Sequence, residues 1–269
     1  MKPLGPIPPG FEATDGELAI GGRKASTLVD EAGGTPLFVY SGEMIRSRVA
    51  VLRNAMPARL RIHYAVKANP YLPILDLMGA LVDGFDIASA GELGFVLAAG
   101  CPASRISFAG PGKRDEELAQ AILAGVTLNL ESEGEARRAL AIGQRTGVTP
   151  RLAIRVNPDF ELRGSGMKMG GGARPFGIDA ERVPALAREI ITAGAEWRGL
   201  HIFAGSQALD AGAIAETQAN VLALAADLSR AIGHALPHLN MGGGFGIPYF
   251  SGDRPLDIAA VGAALGERL

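Results

Sequence analysis

Cysteine occurs once in the 269 residues, at Cys101, so no internal disulfide can form and no cysteine cluster with zinc spacing exists. Apolar runs are broken by Gly, Pro or charge well short of the roughly 20 residues a membrane-spanning helix needs. The start, Met1 to Gly10, is Pro-rich and lacks the apolar core of a signal peptide. Basic residues are scattered and the formal net charge is −2, which excludes the concentrated positive face of a nucleic-acid binder. These absences describe a cytoplasmic protein with no nucleic-acid and no membrane partner. Lysine is also scarce, five residues against 21 arginines, so each lysine in an apolar setting stands out.

Glycine is abundant instead, at 37 residues, and 48% of the chain is apolar. Disorder is therefore excluded, and the length is close to that of one α/β barrel, roughly 250 residues. After a lead of residues 1–34, with a helix expected over Lys24–Glu31 and a short strand over Thr35–Tyr40, the chain alternates. β-rich runs fall at Ile62–Val66, Phe85–Ala88, Ile106–Ala109, Val126–Leu130, Leu152–Val156, Leu200–Phe203 and His238–Met241. Stretches of helical period lie between them. One apolar stripe is Val183, Leu186, Ala187, Ile190 and Ile191; another is Val221, Leu224, Ala225, Leu228 and Ile232. Ser89 to Glu92 and Ser132 to Glu135 have the spacing of capping boxes that start helices directly after strands. The first four strand-to-strand spacings are about 21 residues, the size of a minimal βα unit. The expected fold is a parallel α/β barrel over residues 35–269, with seven βα strands instead of eight and hence two open edges.

Several residues could carry chemistry. Lys67, in His63-Tyr-Ala-Val-Lys-Ala-Asn69, falls at the C-terminal end of the first strand, which is the catalytic end of such barrels. In a dry cleft its amine would be a candidate for Schiff-base chemistry. On position alone, a strand-end lysine reaching out to water is the commoner case. The run Gly242-Gly-Gly-Phe-Gly246 after the seventh strand could present an anion nest, and Gly205-Ser206 after the sixth could add a hydroxyl. Either could equally be a turn. Gly110-Pro-Gly-Lys113 lacks the spacing of a nucleotide phosphate loop. Asp86 and Arg155 lie in the second and fifth strands, where a structural Asp–Arg pair is as good a reading as a functional one. Glu92 reads as the capping partner of Ser89. None of the four histidines has a metal partner at suitable spacing, so most are packing or surface residues.

Taken in order, seven segments are far more specific than any one alone. They are Tyr64–Asn69, Phe85–Leu93, Phe108–Lys113, Arg155–Pro158, Phe176–Asp179, Gly205–Gln207 and Gly242–Phe245. The series resembles the pyridoxal-phosphate-dependent decarboxylases of fold type III, the diaminopimelate, ornithine and arginine decarboxylase group with its alanine-racemase-like barrel. Gly166-Met-Lys-Met-Gly-Gly-Gly172 ahead of Phe176 resembles most the members associated with exosortase systems.

The resemblance implies that Lys67 holds the cofactor covalently and that Ser206, Gly243 and Gly244 cradle its phosphate. It also implies that Asp86 and Arg155 sit beneath and beside the ring. The reaction implied is decarboxylation of an amino-acid substrate by a homodimer; a racemase on the same barrel and a non-catalytic homologue are the alternatives. Two departures stand out. Where the family has His-x-Gly-Ser, this chain has Phe203-Ala-Gly-Ser206, so Phe203 would stack on the ring, while His201 shares its strand face one layer deeper. The family's Glu-Pro-Gly-Arg segment and C-terminal β-domain lie beyond the eighth strand, and this chain ends at Leu269 before both.

Overall fold

The computed structural model describes residues 7–269 apart from 163, 165 and 169–174, and for 167 and 168 the backbone alone. The lead holds a small antiparallel sheet of β1 (Ala13–Thr14), β2 (Glu17–Ile20) and β3 (Arg23–Lys24), followed by helix α1 (Ala25–Ala32). The helix was expected; the three short strands carry no periodic signal because they are two to four residues long and only Ala19 is buried. Next come α2 (Gly42–Ala55), β4 (His63–Ala65), α3 (Leu72–Leu81), β5 (Gly84–Ile87), α4 (Ala90–Ala98), β6 (Ile106–Phe108), α5 (Asp115–Ala124), β7 (Thr127–Leu130), α6 (Glu133–Thr146) and β8 (Arg151–Asn157). The remainder is β9 (Met167–Lys168), β10 (Ile178–Asp179), α7 (Val183–Thr192), β11 (Glu196–Ile202), β12 (Gly205–Ser206), α8 (Ala211–Ile232), β13 (Leu239–Asn240) and α9 (Ile258–Gly266).

Seven of these strands form one parallel sheet in the order β4-β5-β6-β7-β8-β11-β13, which is also chain order. They correspond one for one to the seven expected βα strands. β10 adds a short side branch on β8, and β12 pairs antiparallel with β9. Strand β8 is buried along nearly its whole length, as befits a strand covered on both faces. Phe85, Phe108, Leu128, Leu152 and Ile154 are fully buried in the core. The two apolar stripes face inward as their period requires: Val183, Leu186, Ala187 and Ile190 on α7, and Val221, Ala225, Leu228 and Ile232 on α8. No helix among the described residues is long and apolar enough to cross a membrane.

Thr35–Tyr40 is a correction. It forms no strand, because no neighbouring backbone among the described residues pairs with it; Phe38 is 84% exposed and Tyr40 lines an apolar groove with Ile45, Tyr71, Ile74 and Leu77. The capping boxes are each half formed. Ser89 and Ser132 accept from the backbone N–H of Glu92 and Glu135, but the Glu92 carboxylate accepts from Ala88 N–H (2.7 Å) and that of Glu135 is engaged by Lys113 (2.7 Å).

Edge strands β4 and β13 have one neighbour each among the described residues, so the strand layer stays open as expected. The helix layer does not. Each of α2 through α8 contacts the next, and α9 contacts both α8 and α2, making among the described residues a closed ring of eight helices around seven strands. The closing contact is a helix crossing in which a Cβ on Gly262 would lie 1.8 Å from the Ala55 carbonyl oxygen. Gly94, inside α4, has nothing within 4 Å of the same position.

These two glycines make opposite predictions. Gly262→Ala forces backbone against backbone and is expected to lower stability by about 1–3 kcal/mol. Gly94→Ala removes a helix-interior glycine with room to spare and is expected to raise it by about 0.5–1 kcal/mol. Urea midpoints of the two variants read this directly.

Candidate active site

The C-terminal ends of the parallel strands all open on one side, and the residues singled out from sequence are distributed along that rim. Register explains the central group. Arg155 on β8 pairs laterally with His201 on β11, and His201 pairs with Asn240 on β13. Leu130 on β7 pairs with Ile154, so Glu131 follows the ladder one step beyond, beside Arg155. Asp86 on β5 is level with Ala65 on β4 and Ser107 on β6.

The result is a belt of polar side chains across the barrel. At one end the Asp86 carboxylate takes a contact from His63 Nδ1 (3.0 Å) and accepts from Asn240 Nδ2 (3.2 Å), joining the second strand of the sheet to the last. Burial pushes the Asp86 carboxyl up, but the hydrogen bond and charge of His63, with His201 and Asn240 behind, outweigh it and hold it below the usual carboxylate range. At the other end Arg155 Nη1 donates to Glu131 Oε1 (2.9 Å), and its guanidinium lies 4.8 Å from the centre of the Phe176 ring. Of the two readings open for Asp86 and Arg155, the structural Asp–Arg pair is not formed: each has its own partner, because the lateral row sets Arg155 next to Glu131 and turns Asn240 toward Asp86.

His201 sits between the two ends, 9% exposed, with Nδ1 lacking a hydrogen-bond partner among the described residues. Burial, reinforced by the Arg155 charge, pushes its pKa down to about 4, against the pull of Asp86 and Glu131. The imidazole is neutral at neutral pH.

Lys67 lies just past β4 in a single 3-10 turn, Val66–Ala68, with an exposed side chain rather than one rising through a dry strand. Lys113, in the rejected phosphate loop, is the opposite case. Its ammonium donates to Gly110 O (2.7 Å), Asn129 O (2.9 Å) and Glu135 Oε1 (2.7 Å), with 1% of the side chain exposed. Burial pushes the Lys113 pKa down and that of Glu135 up, each opposed by the partner's charge.

The glycine run folds against the segment after β11. Ala208 N–H donates to Gly244 O (3.0 Å) and Gly246 N–H to Ala208 O (2.8 Å), which holds Ser206 beside the run. Gly244 has φ +84°, and a Cβ there would stand 2.5 Å from Gly205 O, so only glycine allows this approach. The N–H groups of Gly243 and Gly244 and the Ser206 hydroxyl have no partner among the described residues. These three donors on one loop pair could hold an anion. Phe203 is half-buried, packs against Gly242 and lines a cavity of about 20 Å³ with Thr217, Gln218 and Gly243. Of the Gly166–Gly172 run, residues 169–172 lie outside the described residues, while Met167–Lys168 forms β9.

Sequence reasoning missed Glu131, Asn240 and the Lys113–Glu135 pair. A signal existed for Glu131: a carboxylate directly after a buried strand and directly before a helix cap.

The chain is thus a parallel α/β barrel domain with an exposed lysine on its rim. Residues 43–269 match the family model described as pyridoxal-dependent decarboxylase, pyridoxal binding domain. The chain is 32% identical to the L-glutamyl-[BtrI acyl-carrier protein] decarboxylase of Niallia circulans, over 84% of this chain and 54% of that enzyme. It is 36% identical to the diaminopimelate decarboxylase of Aquifex aeolicus, over 96% of this chain and 62% of the other. A crystal structure from Aquifex aeolicus superposes with TM-score 0.83 at 34% identity, covering 97% of this chain and 62% of that one. The Helicobacter pylori diaminopimelate decarboxylase complexed with L-lysine gives 0.80 at 27%, covering 90% and 62%. The chain belongs to the family of pyridoxal-dependent decarboxylases, whose cofactor is pyridoxal phosphate, and its fold is their alanine-racemase-like barrel. It spans between 54 and 62% of the length of these relatives.

The buried imidazole predicts a pH effect. From pH 6.5 down to about 4 the unfolded chain takes up a proton that folded His201 refuses, so stability falls as pH drops through that window. The full loss is on the order of 3 kcal/mol. Denaturant midpoints at about pH 7.5 and about pH 5 are expected to converge in His201→Gln relative to the unmodified chain. An equal pH dependence in both would show that His201 does not titrate on unfolding.

Proposed function

We propose that this barrel is the cofactor-holding part of an enzyme that removes the α-carboxylate of an amino-acid substrate, as a diaminopimelate decarboxylase does. The observation that carries the reading is the combination of Lys67, exposed on the rim after β4, with the unpartnered donors of Ser206, Gly243 and Gly244 on the same rim after β11 and β13. Residues 35–269 act as one cofactor-binding domain behind the lead of residues 1–34.

In this reading the Gly243 and Gly244 N–H groups and the Ser206 hydroxyl bind the cofactor phosphate. Asp86 and Arg155, on the belt of strand-end side chains, would hold and tune the ring. Asp86 stays ionised because His63 and Asn240 hold it so, and Arg155 is fixed by Glu131. Phe203 offers an aromatic face where other members have a histidine. Lys67 would hold the cofactor covalently through its amine, and its Nζ is the group on this rim able to carry a proton. When bound, pyridoxal phosphate supplies an electron-poor ring that accepts the electron pair left by a departing carboxylate. The reading extends to a homodimer acting in the cytoplasm.

Lysine chemistry gives the test. Lys24 is paired with Asp15 (2.9 Å) and Lys113 is buried on Glu135, whereas Lys67 has no partner among the described residues. Borohydride reduction of the chain with pyridoxal phosphate, followed by peptide mapping, is expected to place the adduct on Lys67, and Lys67→Ala to abolish it. An adduct on Lys113 or Lys168 would overturn the site. With the whole protein, carbon dioxide release without racemisation of the remaining substrate is expected; racemisation alone would assign a racemase, and neither would assign a non-catalytic binder.

A further inference from the structure

Glu131 is 1% exposed in its side chain, and both of its oxygens are committed. Oε1 accepts from Arg155 Nη1 (2.9 Å) and from Gly110 N–H (2.6 Å); Oε2 accepts from Gly177 N–H (2.8 Å). The carboxylate thus ties together three pieces of backbone: the loop after β6, strand β8, and the segment entering β10. Gly177, at φ +79°, passes close to the β8 backbone, where a Cβ would stand 2.8 Å from Asn157 N, so only glycine brings this N–H to Glu131. Phe176, next in chain, covers the face of the Arg155 guanidinium. Arg155 is therefore held in its plane by Glu131 and from one face by Phe176, and the Gly177 N–H bond to Glu131 also places Phe176.

We propose that Glu131 is a positioning residue for the cofactor: it sets the orientation of Arg155 directly, and that of its Phe176 cover through Gly177. This rests on the reading of Arg155 as a cofactor neighbour. A purely structural ion pair would need only one oxygen on the arginine. Here a single carboxylate also accepts from the two loops flanking that arginine, so its loss would free the guanidinium, the cover and the loop together. Glutamine cannot replace it. Its amide nitrogen would face an N–H donor whichever way it is turned, because each carboxylate oxygen already accepts from one.

The test titrates the chain with pyridoxal phosphate, followed by the visible absorbance and circular dichroism of the bound cofactor. Glu131→Gln is expected to weaken binding about tenfold, as the loss of one charge-assisted hydrogen bond would, and to alter the dichroic band. Asp83→Asn is the stability control. It breaks the half-buried Arg53–Asp83 pair (2.7 Å) at the opposite, N-terminal end of the strands and is expected to lower the melting temperature without moving affinity or band. Because Glu131 acts through Arg155, Glu131→Gln combined with Arg155→Met is expected to bind no worse than Arg155→Met alone. Where Glu131→Gln does not fold, Glu131→Asp carries the same comparison, since the shorter side chain cannot reach all three partners. Unchanged affinity and band in a folded Glu131 variant, or additive losses in the double variant, would overturn the inference. Failure of Lys67→Ala to abolish the borohydride-trapped adduct would instead sink the reading on which it rests, so the two failures are distinguishable.

Discussion

A carboxylate withdrawn from water must be answered by the polar groups around it, and at Glu131 that requirement reaches across three elements of the barrel. Its neighbours repeat the pattern. Gly110 donates its N–H to Glu131 and offers its carbonyl to Lys113, so one residue links two buried ion pairs, Arg155–Glu131 and Lys113–Glu135. Desolvating four charges is costly, and such pairs add little net stability compared with apolar packing. What they contribute is geometry. The loops after β6 and β8 are held by charge-assisted hydrogen bonds to fixed strands, and that constraint determines how the rim can be shaped.

Architecture was largely readable from the chain because its signals are local. Each βα strand carries its own apolar run, serine caps mark α4 and α6, apolar stripes mark α7 and α8, and the seven strands pair in the order they occur. The features that escaped are of two kinds. The Thr35–Tyr40 run has strand-like residues but no strand beside it among the described residues, and propensity alone does not make a sheet. The closing of the helix ring depends on a glycine in α9 meeting a carbonyl in α2, a contact between parts of the chain far apart in sequence.

The rim shows the same division. Lys67, Ser206, Gly243 and Gly244 were singled out by the ordered series of motifs, each of them having an ordinary structural reading when taken alone. Asp86 and Arg155 also stood out as charges inside strands, but their partners could not be read from the chain. Pairing inside a barrel follows lateral register, and register places Glu131 beside Arg155 and Asn240 within reach of Asp86. Charge type alone left a pairing of the aspartate with the arginine open as one of two readings.

The hydrogen bond between Asn240 and Asp86 spans 154 residues, whereas most of the sheet is built from pairs of consecutive units. Loop-closure entropy rises only slowly with length, by about 0.6 kcal/mol for each doubling, so a contact this distant is tolerable at equilibrium. Kinetically it is another matter, since contacts of long sequence separation form only after the local ones that bring them near. Lys67 belongs to the first unit of the sheet and the glycine run to the last. A chain leaving the ribosome therefore assembles most of its apolar core before the first and last units of the sheet meet, and the two sides of the proposed site come together only with that late contact.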